Sequence, residues 1–365
     1  MARNYLEIDL RLIRQNYQTI CKAVSPLASM AVLKANAYGL GVLEVFQALK
    51  ECGCHFFGVA DLEEALQISG KGHETCILGD IMLEELSGIV QHGIVAPVTS
   101  LYMAECLNTE AQAQGKKARV QFLIDTGMGR LGVPENEALD LILACRELTE
   151  LEMVGIYSHF PFAYGDKEFS EHQVEGFKDL LCSLDDAGIN FEQIHIANSD
   201  GIHNIAGAKK KPFNMVRTGI NLYGCFDLEG QKNLQLEPVL TLKSRLIVKR
   251  DLPVGATLGY GRTCTLEKAT TVGTVAIGYA DGLPISLSNQ GFLLIDGIKC
   301  PILGRVSMDY TMIDLSDVPQ AKSGDTVICL GEGIPVSEWA KSSGTITYDI
   351  ICSIGNRVKR VYIES

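Results

Sequence analysis

The chain has 365 residues, of which 47% are hydrophobic and 21% charged, and its formal net charge is −12. This length favours two domains over one, and the composition is that of a globular protein with an ample core. The acidic balance argues against binding nucleic acid or anionic membranes through a general basic surface, although a local basic pocket could still hold a phosphate.

From its start to about Tyr223 the chain alternates short apolar runs with amphipathic stretches. Helical periodicity between the runs is clear at Leu43–Leu49 and Leu62–Leu66. A series of strand-then-helix units predicts a (β/α)8 barrel; a doubly wound sheet is the main alternative, but no Gly-X-Gly-X-X-Gly turn follows the first strand. The predicted strands are Met30–Leu33, Phe56–Ala60, Thr75–Leu78, Gly93–Pro97, Val120–Ile124, Met153–Ser158, Gln193–Ala197 and Asn214–Gly219.

After about Leu234 the pattern changes to strand-like runs separated by Gly, Pro and Asp turns, and helical periodicity returns only at Val336–Lys341. We therefore predict an α/β barrel domain over residues 1–233. The first few of these residues could instead belong to the second domain. A mostly β domain follows over residues 234–365, joined through the polar segment Asp227–Gln235. The strand-like runs are Val239–Ile247, Thr271–Ile277, Phe292–Ile295 and Thr326–Leu330.

The run Ala31–Gly39 ends the first predicted strand in a lysine, Lys34, followed by small residues. A lysine after a strand is usually a solvated surface residue. Here, however, apolar neighbours disfavour the charged form, and a neutral amine can form a Schiff base with an aldehyde. Lys34 is therefore a candidate reactive amine that needs support from the rest of the chain.

Reactive groups of (β/α)8 barrels lie at the carboxyl ends of the strands. Each such residue has an ordinary interpretation on its own, as when a serine caps a helix. Their concentration on one face of the barrel predicts an active site. The strand ends carry Lys34, Asp125–Arg130, His159, Asn198–Ser199 and Arg217–Ile220.

The last two strand ends indicate a cofactor, because the loops after strands 7 and 8 of such barrels often hold a phosphate. Ser199 can supply a hydroxyl, and Gly219 lets backbone N–H groups approach an anion closely. A phosphate site beside a reactive lysine predicts pyridoxal 5′-phosphate (PLP). Arg217 then faces the pyridine nitrogen; since arginine stays protonated, the cofactor is a weaker electron sink, and proton return at Cα is favoured over transamination.

In the second domain, the run Leu258–Thr263 places Tyr260 between two glycines. Tyrosines are common in turns, and this one gains interest only through the predicted chemistry. Racemisation through one planar carbanion is best served by acid/bases on opposite faces. Lys34 could serve one face and Tyr260 the other.

The twelve cysteines are scattered, and the one close pair, Cys52 and Cys54, matches neither a zinc site nor a redox pair. They predict reduced, buried thiols in a cytoplasmic protein with no metal site. No apolar run reaches the length of a membrane span, and the amino terminus lacks a signal peptide. We expect no membrane contact by this chain itself, although a longer parent protein could carry a membrane domain.

Several motifs resemble those of bacterial PLP-dependent alanine racemases, and the resemblance runs from Tyr5 to nearly the end. It implies a (β/α)8 barrel and a β domain in a head-to-tail homodimer, in which the β domain of each subunit completes the active site of its partner. The motifs are Ala31–Gly39, Ile124–Arg130, Ala197–Ser199, Arg217–Ile220, Gly259–Thr263, Gly278–Gly282 and Gly304–Asp309.

The resemblance also implies a role for each matching residue. Lys34 is the Schiff-base lysine and one base, and Tyr260 of the partner subunit is the other base. The phosphate would be contacted by Tyr38, Ser199, Gly219 and Ile220, and the pyridine nitrogen by Arg217, while His159 would support the cofactor ring and the tyrosine. Arg130 would lie near the cofactor hydroxyl and the substrate carboxylate, which the backbone N–H of Met308 would also contact. The entrance to the site would be formed by Tyr279, Arg305 and Asp309.

Three positions depart from the family pattern. Leu123 stands where many members have a carbamylated lysine that orients the arginine, so Arg130 must find another anion, a chloride or water. Leu283 follows the Gly278–Gly282 motif where an arginine is frequent, which makes the entrance less basic. Asn356 stands where the family usually has a tyrosine that lines the substrate pocket and touches the phosphate.

Asn356 suggests serine as a substrate, because its amide adds space and a hydrogen-bond partner for a hydroxymethyl group. The chain would then resemble the racemase domain of the membrane-anchored serine racemases of vancomycin resistance, which make D-serine for altered peptidoglycan precursors. One alternative is an ordinary alanine racemase with little serine activity. A second is a barrel-type PLP amino-acid decarboxylase, which would not need Tyr260. A third is a non-catalytic PLP carrier, and the large β domain argues against it.

Overall fold

The computed structural model describes residues 3–226 and 232–364. Its strands are β1 Tyr5–Asp9, β2 Ala28–Val32, β3 Phe56–Val59, β4 Glu74–Ile77, β5 Ala96–Val98, β6 Ala118–Asp125, β7 Val133–Pro134, β8 Leu151–Tyr157, β9 Gln193–His195, β10 Met215–Thr218, β11 Leu240–Leu252, β12 Thr257–Leu258, β13 Cys264–Thr265, β14 Thr270–Val275, β15 Phe292–Ile295, β16 Ile298–Leu303, β17 Thr311–Asp314, β18 Thr326–Leu330 and β19 Lys359–Ile363. Its helices are α1 Leu10–Val24, α2 Lys34–Tyr38, α3 Val42–Glu51, α4 Leu62–Ile68, α5 Leu86–His92, α6 Leu101–Gln114, α7 Glu135–Cys145, α8 Lys167–Asp186, α9 Ser199–Asn204, α10 Val336–Ser343 and α11 Thr347–Cys352.

Within the described residues, eight parallel strands form a barrel from two arcs, β10-β2-β3-β4 and β5-β6-β8-β9. Backbone hydrogen bonds join the arcs on both sides. Between β4 and β5 the Ile77 N–H donates to the Val95 carbonyl (3.0 Å), and between β9 and β10 the Arg217 N–H donates to the Ala197 carbonyl (2.9 Å). The predicted (β/α)8 barrel is confirmed.

Burial explains why these segments form barrel strands. Parallel strands covered on both faces read as continuous apolar runs, and β6 is buried from Val120 to Ile124. Helix α8 covers the barrel with Val174, Phe177 and Leu181, which recur at helical spacing on one face. A polar side chain inside β6, Gln121, interrupts this apolar pattern.

The C-terminal domain is mostly β, as predicted. In its described part, β11 pairs with both β14 and β18 and so closes a ring of six strands, β11, β14, β17, β16, β15 and β18. Strand β1 adds to β11 in antiparallel fashion, and β19 adds to β1 in parallel. Both ends of the chain therefore contribute to this domain. Most of the predicted join Asp227–Gln235 lies outside the described residues.

Nowhere in residues 3–226 and 232–364 does a helix combine the length and the hydropathy needed to cross a membrane. The same two ranges contain no group of three or more His, Cys, Asp or Glu side chains placed to hold a metal ion. The cysteines all fall within these ranges, and their thiols are free.

Candidate active site

A cavity of about 410 Å³ opens at the carboxyl ends of the barrel strands. It brings together most of the barrel residues that the sequence singled out. Those residues are Lys34, Tyr38, Arg130, His159, Ser199, Arg217 and Gly219. Other parts of the wall are Leu123, Tyr157, Tyr164, Ile346 and Tyr348.

Lys34 opens a turn of left-handed helix, because Ala35–Tyr38 all have φ between +53° and +60°. For residues with a Cβ this conformation costs roughly 1–2 kcal/mol each, so distant contacts must hold it. The Glu64 carboxylate accepts a hydrogen bond from the backbone N–H of Ala35, the first amide of the turn (2.6 Å). Arg360, from the C-terminal strand, donates to the Gly39 carbonyl that follows the turn (3.0 Å). Both domains thus fix the backbone that carries the lysine.

Lys34 lines the cavity, and the surrounding protein atoms shield its amine from water. This desolvation is the main cause that lowers the pKa of Lys34, and the positive charge of Arg130 lowers it further. The Glu64 carboxylate opposes the shift, and Arg217 adds to it. A larger share of neutral amine makes Lys34 a better nucleophile and base near neutral pH.

A cradle of neutral donors lies beside the lysine. The Ser199 hydroxyl accepts the Gly219 N–H (3.0 Å), which leaves its own O–H free to donate into the cavity. A Cβ at Gly219 would overlap the Tyr38 hydroxyl, so only glycine leaves room there. Tyr38 is buried, and burial raises the pKa of its phenol, which therefore stays a neutral donor. Buried Ile220 follows directly. The cradle fits a phosphate group.

A second layer of side chains supports Ser199 from behind. The Asn221 side-chain amide donates to the Ser199 carbonyl (3.1 Å) and lies 3.0 Å from Nε2 of His203. Since an amide N–H donates to it, this imidazole nitrogen carries no proton. Burial is the main cause that lowers the pKa of His203 to about 4, and nearby Lys209 contributes.

We expect this buried histidine to make folding stability depend on pH. Between about pH 6.5 and 4 the unfolded chain binds a proton at His203 that the folded chain does not, so the free energy of unfolding falls as pH falls. The contribution is up to about 1.4 kcal/mol per pH unit. Urea unfolding of the protein and of His203→Gln across this range should show a shallower pH dependence in the variant. Equal slopes would contradict the assignment.

Arg217 is the buried cation of the site. Its guanidinium donates to the carbonyls of Ser158 (2.7 Å) and Ile196 (3.1 Å) and to Nδ1 of His195 (2.5 Å) and His159 (3.1 Å). Burial lowers the pKa of Arg217 to about 10, so it remains charged at neutral pH. Burial, followed by the charge of Arg217, holds the pKa of both histidines well below the usual value. Two neutral imidazoles therefore act as acceptors for this arginine.

Arg130 lies at the cavity mouth on a loop ordered by a carboxylate. Asp125 accepts the amides of Gly127 (2.9 Å) and Met128 (2.8 Å), which turns the chain after β6 back across the barrel. Leu123 is buried and lines the same cavity. The wall near Arg130 is therefore apolar at the position where the resemblance implies a carbamylated lysine.

The predicted residues of the second domain lie elsewhere. None of Tyr260, Tyr279, Arg305, Met308 and Asp309 lines the cavity described above. Tyr260 is 73% exposed, and Tyr279 and Met308 are also exposed. The structure of one chain therefore does not bring the two predicted bases together.

Asn356 lies apart from the cavity of its own chain. It is exposed and does not line the described cavity. Tyr348 of α11 does line it, with its ring centroid 5.8 Å from that of Tyr38. The C-terminal segment thus supplies one tyrosine to the cavity, Tyr348, eight positions before Asn356, and the role of Asn356 at the substrate pocket stays a prediction.

Sequence reasoning also missed three residues of the site. Tyr157 lies at the end of β8, two residues before His159, so its position at a strand end could have identified it. Glu64 and Tyr348 gave no comparable indication, because neither lies at the carboxyl end of a barrel strand. Their roles come from packing between distant parts of the chain.

A (β/α)8 barrel that presents a lysine of lowered pKa, a phosphate-sized cradle and a buried arginine, with a β domain appended, has the plan of a lysine-dependent cofactor enzyme. Family models for the alanine racemase N-terminal and C-terminal domains match residues 8–227 and 239–362. The chain belongs to the alanine racemase family, which makes it an isomerase.

Individual relatives agree over the full length. The chain is 36% identical to an alanine racemase of Desulforamulus reducens over 98% of both proteins. An alanine racemase structure from Clostridium difficile 630 matches with a TM-score of 0.95 and 32% identity, over 100% of this chain and 97% of that one. An alanine racemase from Bartonella henselae, solved with covalently bound pyridoxal phosphate, matches with a TM-score of 0.90 and 32% identity over 100% of both chains.

These matches confirm the predicted family and cofactor class: alanine racemases are PLP-dependent enzymes, and the cavity residues fit that cofactor. They favour a racemase over the decarboxylase and the non-catalytic carrier. The relatives named above give no support to the narrower resemblance to the serine racemases of vancomycin resistance.

Proposed function

We propose that this protein interconverts L- and D-alanine with PLP held in the barrel cavity. The observation that carries the proposal is that Lys34, whose pKa is lowered, and the donor cradle of Ser199, Gly219 and Tyr38 lie in one cavity with buried Arg217. When bound, PLP withdraws electrons from Cα of the amino acid and so makes its proton acidic.

The residues of the barrel divide the remaining work. Lys34 would hold the cofactor covalently through its amine and would take or return the Cα proton on one face. Ser199, the Gly219 backbone and Tyr38 would hold the phosphate. Arg130, at the mouth, would face the substrate carboxylate.

Arg217 would set the reaction outcome. It would donate to the pyridine nitrogen and, being charged throughout, would not pass a proton to it. Negative charge then stays closer to Cα, which favours return of the proton there over transamination. Neutral His159 would help to keep the guanidinium in place (3.1 Å).

A homodimer completes this proposal. Racemisation needs a second acid/base on the opposite face of Cα, and exposed Tyr260 does not reach the cavity of its own chain. Tyr260, Tyr279, Met308 and Tyr310 are exposed in the β domain, as residues that dock onto another subunit would be. We infer that Tyr260 of the partner subunit serves as the second base.

Alanine is the proposed substrate, and supply of D-alanine for peptidoglycan in the cytoplasm is the proposed role. The argument for serine rested on an amide beside the substrate side chain. Asn356 does not line the cavity of its own chain, and the relatives named above are alanine racemases. An ordinary alanine racemase with little serine activity is therefore the better reading.

A pair of variants tests the substrate. Asn356→Tyr should change the ratio of kcat/KM for L-serine to that for L-alanine by less than about twofold, since it does not line the pocket. Tyr348→Asn should raise that ratio about tenfold, because the new amide can pair with the hydroxyl. A large change in Asn356→Tyr with none in Tyr348→Asn would restore the serine hypothesis.

The reaction itself is tested by incubating L-alanine with the protein and added PLP in deuterated water. The expected result is D-alanine that carries deuterium at Cα. Release of carbon dioxide would identify a decarboxylase, and the absence of Cα exchange would identify a carrier.

A further inference from the structure

A line of polar side chains runs through the barrel interior below Arg217. The guanidinium lies 2.5 Å from Nδ1 of His195, and Nε2 of that imidazole lies 3.0 Å from Oε1 of Gln121. The Gln121 amide donates to Oε1 of Gln193 (2.5 Å), and the N–H₂ group of Gln193 donates to the carboxylate of Glu74 (2.5 Å). Barrel interiors are normally filled by branched apolar side chains, so this unbroken polar line needs an explanation.

The line connects the two ends of the barrel. Glu74 and Gln193 are the first residues of β4 and β9, whereas Arg217 lies near the carboxyl end of β10. The side chains between the ends are closed to solvent, with Gln121 2% and Gln193 4% exposed. At the amino end, Glu74 forms an ion pair with Arg119 (2.5 Å).

Only one arrangement of protons satisfies every contact in this line. Arg217 can only donate, and the Glu74 carboxylate can only accept. Gln193 must therefore turn its N–H₂ group toward Glu74 and its oxygen toward Gln121. Gln121 must then turn its oxygen toward His195. The proton of His195 is thereby placed on Nε2, and the lone pair on Nδ1 faces Arg217.

Two further contacts fix the same arrangement. The ring of Tyr157 stacks on that of His195, with centroids 5.1 Å apart and planes 13° apart, so the imidazole plane is set as well as its tautomer. The Gln121 N–H₂ group also lies 3.5 Å from the Cys76 sulfur, on the side away from the histidine.

We propose that Glu74 is a positioning residue for Arg217 and that it acts through Gln193, Gln121 and His195. From the far end of the barrel it holds His195 in the tautomer that accepts from the guanidinium, and its negative charge complements the buried positive one. The inference rests on the proposed function, in which Arg217 faces the cofactor ring nitrogen. Loosening the line should therefore disturb the reaction rather than substrate binding.

The test replaces the carboxylate at the far end. In Glu74→Gln the terminal side chain can donate as well as accept, so Gln193 and Gln121 can reverse and turn an N–H₂ group toward Nε2 of His195. That group then opposes the proton that Arg217 requires on Nε2, so one tautomer no longer satisfies both ring nitrogens. The matched control is Glu152→Gln, which removes the other carboxylate that contacts Arg119 (3.4 Å) but lies outside the line. Both changes remove one charge beside the same arginine.

The first measurement uses the protein without cofactor. The chain has seven histidines, so ¹⁵N-histidine labelling gives few imidazole signals, and His195 is assigned by its loss in His195→Gln. The parent and Glu152→Gln should show one His195 tautomer with a slowly exchanging Nε2–H. Glu74→Gln should show a second tautomer or at least tenfold faster exchange of that proton. Unchanged His195 signals in Glu74→Gln would overturn the proposal.

A second variant separates this role from the ion pair with Arg119. The double change Glu74→Gln/Gln193→Glu moves the carboxylate one step inward, where it still accepts from Gln121 but no longer from Arg119. It should restore the single His195 tautomer. If Glu74→Gln does not fold, recovery of fold and tautomer in the double variant supports the proposal, and failure of both variants to fold assigns Glu74 to the ion pair and overturns it.

Kinetics of the holoenzyme give an independent measurement. Glu74→Gln should lower kcat about three- to tenfold with little change in KM, whereas Glu152→Gln should match the parent. Equal kcat values in both variants would overturn the link to Arg217. If the parent itself does not racemise alanine, the proposed function fails, and the His195 signals still decide whether Glu74 controls the line.

Discussion

Replacing Lys34 by alanine should abolish covalent attachment of the cofactor and lower the racemisation rate by at least about 10⁴-fold. The change removes an amine with two proposed roles, as the point of cofactor attachment and as the base on one face of Cα. Burial, followed by the charge of Arg130, lowers the pKa of Lys34 and so raises the share of the neutral amine that both tasks need. The measurements are visible absorbance after gel filtration with PLP and the rate of D-alanine formation.

The control for this variant is another lysine. Lys117 pairs with Glu150 (3.1 Å) near the amino ends of the barrel strands, away from the cavity. Lys117→Ala should keep both the absorbance and the activity. Added methylamine should restore part of the activity of Lys34→Ala by acting as a free base. Retention of cofactor absorbance by Lys34→Ala after gel filtration would contradict its assignment as the attachment point.

The barrel could be predicted from the sequence because parallel strands buried on both faces leave apolar runs of characteristic length. The predicted Phe56–Ala60 and the observed β3, Phe56–Val59, differ by one residue. The larger error at Gly93–Pro97 has a local cause: Gly93 adopts φ +64° and ends α5, so β5 begins only at Ala96.

The turn after Lys34 could not be predicted from local preference. Alanine and tyrosine rarely adopt positive φ, and within Ala35–Tyr38 only Asn36 belongs to a residue type enriched there. The conformation depends on Glu64, 29 positions away, and on Arg360, 321 positions from the carbonyl that it contacts. The sequence places the lysine at a strand end, but only tertiary contacts show how its backbone is held.

Some residues of the candidate site could be predicted from the sequence, and others depend on tertiary packing. His159, Ser199 and Arg217 could be predicted because the carboxyl ends of the strands of a (β/α)8 barrel all lie on one face. Tyr348 reaches the cavity from the second domain, and no periodic pattern relates its position to the barrel. Asn356 was chosen by motif alignment in that segment, where the side chain that enters the cavity depends on the packing of α11.

Replacing Tyr260 by phenylalanine should preserve covalent cofactor attachment and lower racemisation about 10²- to 10⁴-fold. The ring keeps its packing, and only the hydroxyl that moves a proton is lost. Because Lys34 still serves one face, Cα exchange in deuterated water should persist for one enantiomer and disappear for the other. Tyr310→Phe, which changes another exposed tyrosine of the same domain, should keep both exchanges.

Mixing two inactive variants tests whether the two bases come from different subunits. Random reassociation of Lys34→Ala with Tyr260→Phe makes about half of the dimers mixed. In a mixed dimer, one site combines Lys34 of one subunit with Tyr260 of the other, and the opposite site lacks both. The mixture should therefore recover roughly a quarter of the parent activity. No recovery, with mixed dimers demonstrated by mass spectrometry, would mean that each site takes both residues from one chain. That outcome would require Tyr260, exposed in this structure, to move into the cavity of its own barrel.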